Sequence, residues 1–202
     1  MNETPDAELL ELARAGDSRA SEALRERLLP AVRRFVSRYV LDPMRGQEIV
    51  QDVLLALHMN LDRMEEPSRL KPFAFRVARN LCWDEVRRSG RELPLCDDFD
   101  GAARLAMCPR AAPEEAVYWV LVWEEVRRAV DSLAEPHRAT LLLLAEAGLT
   151  HEQIADAMST NVGTVKSRVH NARKQLLRLL RPETREALGL GTEEEDSNGG
   201  IG

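Results

Sequence analysis

The sequence predicts an all-α protein: two small helical domains joined by a flexible linker, the C-terminal one containing a helix-turn-helix. Three observations carry this. Ala, Leu, Glu and Arg are abundant, while aromatics make up only 4% of the 202 residues, and strands are built mainly from β-branched and aromatic residues. A series of helix-start and helix-stop signals divides the chain into short helical segments. Between them, Gly90 to Pro113 changes character, with Pro94, Pro109, Pro113, Gly101 and the acids Asp97, Asp98 and Asp100. That is a linker composition.

The first helix starts at Thr4-Pro5-Asp6, where Thr4 can cap, Pro5 suits the first helical position and Asp6 favours the positive helix end. It stops at Gly16. A second helix begins at Asp17 or Ser18 and continues through LRERLLPAVRRFVSRYV, bent or divided by Pro30. LDPMRG reads as a turn, a third helix covers about Gln47 to Leu61, DRMEEPSRLK is a loop, and a fourth helix spans about Pro72 to Arg88. Beyond the linker come helices from about Pro113 to Ser132, from Pro136 to Glu146, and a final pair. The layout is therefore a four-helix domain over residues 1–90, a linker over 91–113, a smaller domain over 114–181 and a disordered acidic tail over 182–202.

Charge sharpens the layout. The formal net charge is -6, yet Val162 to Arg181 contains no Asp or Glu and carries six Lys and Arg. Arg69 to Trp83 is a second acid-free block. Two basic islands in an acidic chain suggest two local polyanion contacts; solvated helix faces are the plainer explanation of any one such run. No apolar run approaches the ~20 residues that span a bilayer, and the N-terminus lacks signal-peptide regions, so a cytoplasmic protein is expected. Cys82, Cys96 and Cys108 match no zinc or CxxC spacing. Free thiols, no metal and no cofactor are expected, with a redox or metal role for Cys96 and Cys108 as the alternative.

Leu149 to Ile154 combines two start devices. Thr150 and Gln153 fit a capping box, and Leu149 and Ile154 stand where a hydrophobic staple closes. Ser159-Thr160-Asn161 makes a tight turn, and Asn161 can cap the next helix. Two short helices joined in this way are the layout of a DNA-binding helix-turn-helix. In the second helix Val165, Val169, Ala172, Leu176 and Leu179 form an apolar stripe. Ser167, His170, Asn171 and Lys174 lie opposite, flanked by Lys166, Arg168 and Arg173. A helix in a major groove needs this division, with one face for base edges and flanking cations for phosphates.

The helix from Pro72 divides similarly. Arg76, Arg79, Asn80, Trp83 and Arg87 fall on one side. Trp83 could stack on an unpaired base or wedge into a duplex step; equally, it could pack over a neighbouring helix. In the third helix Ile49, Val50, Val53, Leu54, Ala56 and Leu57 form an apolar face. Leu55 stands among Glu48, Gln51, Asp52 and His58 on the other side, one apolar anchor in a polar ring that suits a protein contact.

With these motifs the chain resembles the extracytoplasmic-function class of bacterial RNA polymerase sigma factors. QEIVQDVLLALH (Gln47 to His58) is similar to the polymerase-clamp-binding helix of that class. FAFRVARNLCWDEVRR (Phe73 to Arg88) is similar to its −10 helix, and LTHEQIADAMSTNVGTVKSRVHNARKQL (Leu149 to Leu176) to its −35 helix-turn-helix. The resemblance implies a non-enzymatic specificity subunit that docks on core RNA polymerase and recognises two elements of promoter DNA. By position, Lys166, Ser167, His170 and Asn171 would read the −35 element, with Arg168 and Arg173 on phosphate. Arg76, Arg79, Asn80, Trp83 and Arg87 would lie along the −10 DNA, and the loop Asp62 to Lys71 would capture a flipped base. Glu48, Gln51, Asp52 and Leu55 would meet the polymerase, and an anti-sigma factor would hold the protein inactive. His170 and Asn171 stand where many members carry an aromatic or basic residue, and Ala134 where the family usually has Pro.

The main alternative is a stand-alone helix-turn-helix regulator with a sensing N-terminal domain, which would bind its operator tightly without polymerase. A thiol enzyme pairing Cys82, Cys96 or Cys108 with His151 or His170 finds no recognisable nucleophile–base setting.

Overall fold

The structure, a computed structural model, describes residues 4–89 and 113–190. The linker expected over 91–113, with Asp97, Asp98, Asp100, Cys96 and Cys108, lies outside the described residues except for its last position. So does the tail from residue 191. Among the described residues there are nine α-helices, two short 3-10 turns and no strand. The backbone divides into two compact units, one taking in 4–89 with 139–166 and the other 113–138 with 167–190.

The first unit begins with α1 (Asp6–Arg14), α2 (Ser18–Ser37), α3 (Pro43–Asn60) and α4 (Leu70–Ser89). Asp17 caps α2, accepting from the Arg19 and Ala20 N–H groups at 2.8 and 3.3 Å. Gly16 just before it has φ +90, a left-handed turn that glycine adopts without a Cβ clash. The core joins Leu9, Leu10, Leu24, Val32, Phe35, Ile49, Val53, Leu57, Phe75 and Ala78, all buried. Phe35 meets Phe75 edge to face with centroids 5.5 Å apart and Tyr39 at 5.2 Å, so α2 and α4 lock through aromatic contact. Cys82 on α4 is buried and forms no disulfide among the described residues.

Several expectations need correction. Pro30 does not divide α2; the helix runs through it. Pro30 is exposed, so its missing N–H and its ring face water, where a lost backbone bond costs least. α3 starts at Pro43 rather than Gln47, because Asp42 caps it: the Met44 N–H donates to Asp42 Oδ1 at 2.9 Å. The segment read as a turn is thus the first helical turn. The loop after α3 holds two 3-10 turns, Leu61–Arg63 and Pro67–Arg69.

After the undescribed stretch come α5 (Pro113–Asp131), α6 (Glu135–Ala145), α7 (His151–Ala157), α8 (Val162–Leu179) and α9 (Pro182–Ala187). In the second unit Val122, Ala129, Leu133, Val169, Ala172 and Leu180 are buried. Arg138, wholly buried, faces Asp131 at 3.4 Å (Nη2 to Oδ1). The apolar stripe of α8 ends on Leu180, not on Leu179, which is 51% exposed. Nor does the tail begin at 182, since Pro182–Ala187 are helical. Glu125 anchors them: Oε1 accepts from the Arg181 N–H (2.6 Å), and Oε2 accepts from Arg181 Nε (2.7 Å) and the Thr184 hydroxyl (2.8 Å).

Candidate nucleic-acid interface

The helix-turn-helix is built from local chemistry. The Gln153 N–H donates to Thr150 Oγ1 at 3.3 Å, and the Thr150 N–H donates to Gln153 Oε1 at 3.0 Å, closing the capping box of α7. Leu149 and Ile154, the staple pair, are both buried. At the other end of α7 the Ser159 N–H donates to the Asp156 carbonyl and the Thr160 N–H to the Ala155 carbonyl, at 3.1 and 2.9 Å. These are the two bonds of a Schellman stop. Ser159 sits at φ 50, the one non-glycine with positive φ among the described residues. Asn161 then caps α8, its Oδ1 accepting from the Thr164 N–H at 2.8 Å. Gly163 fits under this cap: a Cβ there would lie 3.2 Å from Asn161 Oδ1.

From this start α8 sorts its residues by face. Val165, Val169 and Ala172 are buried, while Lys166, Ser167, His170, Asn171, Arg173 and Lys174 are exposed and Arg168 is half-buried. Ser167, His170, Asn171 and Lys174 follow one another at three- and four-residue steps, so they form one polar stripe. Glu152, near Lys166 in charge, keeps its carboxyl below the usual range. Its own backbone N–H is the largest cause, followed by the Thr150 hydroxyl.

α4 presents its basic residues differently. Asn80 and Arg87 are exposed, but Arg76, Arg79 and Trp83 are half-buried. The Arg76 guanidinium lies 5.4 Å from the Phe73 ring centroid, a cation–π contact that holds the side chain along the helix. Glu85 on the same helix accepts from Arg45 Nε at 2.7 Å and also pairs with Arg88. The Arg45 bond, outweighing the cost of burial, lowers its carboxyl below the usual range. Of the two acids on α4, Glu85 is thus tied up by cations, while Asp84 is exposed.

The polar ring expected on α3 is on the surface: Glu48, Gln51, Asp52 and Leu55 are all exposed, Leu55 by 57%. Glu48 is held by Arg45 Nη1 at 2.6 Å. Two residues were missed. Met44 and Met59, each 70% exposed, fall on the same helical line as Glu48, Asp52 and Leu55. Continuing the four-residue step from Leu55 reaches Met59; Met44 was hidden by the late start assigned to the helix.

Also missed were contacts that bring residues 146–157 onto the N-terminal helices within the first unit. α7 packs on α4. Glu146 accepts from Arg38 Nη2 at 2.8 Å and pairs with Arg34 Nε at 3.4 Å. Arg34 Nη2 also donates to the Glu146 carbonyl at 3.3 Å, and Gln153 Nε2 to the Ser68 carbonyl at 3.4 Å.

Residues 24–92 match Sigma-70 region 2, and residues 123–176 match Sigma-70, region 4. The chain is 31% identical over 172 residues to the ECF RNA polymerase sigma factor EcfG of Rhodopseudomonas palustris (strain TIE-1), covering 84% of this chain and 91% of that protein. The chain belongs to the ECF family of RNA polymerase sigma factors. The fold of this sigma factor is also that of two solved structures, each 23% identical. CnrH in complex with the cytosolic domain of CnrY has a TM-score of 0.61, covering 86% of this chain and 96% of that chain. The sigma factor RpoE in complex with the anti-sigma factor NepR from Bartonella quintana has a TM-score of 0.54, covering 77% and 93%. Region 2 takes in α3 and α4, and region 4 takes in α6, α7 and most of α8. No helix among the described residues is long and apolar enough to cross a membrane.

Proposed function

We propose that this sigma factor binds core RNA polymerase and directs it to promoters by reading a −35 element with α8 and a −10 element with α4. The carrying observation is the α8 surface: an exposed, acid-free stripe on a helix whose start is capped by Asn161 directly after the Schellman turn that ends α7. Ser167, His170 and Asn171, with Lys166, face base edges. Arg168, Arg173 and Lys174 serve phosphates, which set register without reading sequence. On α4, Arg76, Arg79, Asn80, Trp83 and Arg87 follow the −10 DNA, and residues 62–71 receive an unpaired base.

The α3 stripe is the polymerase-docking surface, with Leu55, Met44 and Met59 as apolar anchors around Glu48, Gln51 and Asp52. Acidic surface elsewhere discourages indiscriminate DNA binding, because phosphate contacts dominate non-specific affinity. Residues 1–90 and 114–181 act as the two promoter-reading domains. The protein works in the cytoplasm as a non-enzymatic specificity subunit, held inactive by an anti-sigma partner, as the complex of RpoE with NepR suggests.

The test is run-off transcription with core polymerase on a genomic promoter pool. Lys166→Ala and Arg79→Ala each lower specific transcripts about ten-fold or more, the scale of one lost DNA contact at ~1–3 kcal/mol, while circular dichroism stays that of the wild type. Tight, specific DNA binding by the protein alone, unchanged by polymerase, would instead favour a stand-alone regulator.

A further inference from the structure

The stripe of α3 carries an internal brace. Glu48, exposed on that stripe, is already held: its Oε2 accepts from Arg45 Nη1 at 2.6 Å, one helical turn earlier. Arg45 is half-buried and is pinned in turn from another helix, its Nε donating to Glu85 Oε2 of α4 at 2.7 Å. Glu85 also pairs with Arg88. One guanidinium thus ties an acid on the surface proposed to meet polymerase to an acid on the helix packed beside it.

Exposure shows which end of the brace is fixed. The Glu85 side chain is 18% exposed, Arg45 30% and Glu48 58%. A pair sheltered from water is screened less than an open one, so Glu85 is the anchor and Glu48 the end that is steered. Both carboxylates push the Arg45 guanidinium above its usual range, Glu85 the more strongly. The geometry also needs arginine. Nε and Nη1 leave a rigid planar fork in fixed directions, one toward each acid, whereas a lysine offers a single nitrogen on a flexible stem. The bond to Arg45 uses Oε2 of Glu48 and leaves Oε1 for a donor on a partner.

We propose that Arg45 is a positioning residue for docking: anchored on Glu85, it aims the Glu48 carboxylate so that Oε1 accepts from a donor of core polymerase. This rests on the docking reading of α3 given above. Because Glu48 is ordered before contact, association loses less conformational freedom, an effect of about two- to ten-fold in affinity for one side chain.

The test measures the dissociation constant of the full chain for immobilised core polymerase by bio-layer interferometry, with circular dichroism as the check on folding. Arg45→Met keeps the aliphatic stem, removes both bonds, and raises the dissociation constant about three- to ten-fold. In a Glu48→Ala background, where nothing is left to aim, the same change has no effect. Arg45→Lys keeps the charge without the fork and behaves like Arg45→Met. Glu85→Gln weakens the anchor alone, so it too weakens binding when Glu48 is present and not when it is absent. Loss of helix packing would instead weaken binding equally in both backgrounds, and that outcome overturns the proposal. So does an unchanged dissociation constant for Arg45→Met, or wild-type binding by Arg45→Lys. If Glu48→Ala binds as the wild type while Leu55→Glu does not bind, the Arg45 proposal falls and the docking reading stands. If Leu55→Glu and Glu48→Ala both bind as the wild type, the docking reading falls as well.

Discussion

Glu125 offers the most quantitative test of how the end of α8 is held. Burial alone pushes its carboxyl upward. The Arg181 side chain and backbone N–H and the Thr184 hydroxyl more than compensate, lowering it from 4.5 to about 2. At ~1.4 kcal/mol per pH unit, that difference corresponds to about 3 kcal/mol of stability. The folded value lies below the unfolded one. The contribution is therefore fully present above about pH 4.5 and is lost as pH falls toward 2. Glu125→Gln removes the charge and should cost about 2–3 kcal/mol at pH 7, part of it from donors left without a full acceptor. The assay is urea denaturation in a Trp83→Phe background, where emission reports only Trp119 and Trp123 on α5. Wild type and variant should differ most at pH 7, and the gap should narrow below about pH 4.5 and close only as pH falls through about 2. A constant gap across that range, or no gap at pH 7, would refute the electrostatic account of how α9 is anchored.

Leu55→Glu or Met59→Glu should abolish co-purification with core polymerase while leaving helicity unchanged; retention of binding by both would remove α3 as the docking surface. Thr150→Ala deletes one half of the capping box and should lower stability by about 1 kcal/mol in chemical denaturation. Ser159→Gly should be neutral or stabilising by up to ~1 kcal/mol, since it relieves a left-handed residue. Ser159→Val should be destabilising, and the reverse order would contradict the turn geometry.

What could be read from the sequence was local. The Thr150–Gln153 box, the Leu149–Ile154 staple and the Asn161 cap each involve residues within five positions, and their chemistry is written in residue type. The exposure of the polar stripes on α3 and α8 followed from helical period, whereas the half-burial of Arg76, Arg79 and Trp83 on α4 did not. Misreadings arose where a local sign had two meanings. Asp42-Pro43 signals both a turn and a proline-led helix start, and the Asp42 cap decides for the latter; at Thr4-Pro5, where the same start is expected, Pro5 itself is the N-cap of α1 and no side chain caps it. Pro30 signals a bend or a division, and its exposed position lets the helix continue through it. Leu179 and Leu180 both fit an apolar step from Leu176, and only packing selects the latter. The remaining features depend on partners far along the chain. The anchoring of α9 needs Glu125, 56 residues before Arg181, and Glu146 finds its arginines across 112 and 108 residues. No periodicity encodes such pairs, because each residue alone looks like an ordinary surface charge.

The caps of α7 and α8 have an evolutionary consequence. Thr150, Gln153, Ser159, Asn161 and Gly163 shape the helix-turn-helix without help from Ser167, His170 or Asn171, whose side chains point to solvent. On the reading proposed above, in which those three side chains face base edges, promoter preference can drift, or be re-engineered, by exchanging them at little cost to folding. Changes to the five supporting residues would spoil recognition of every sequence alike.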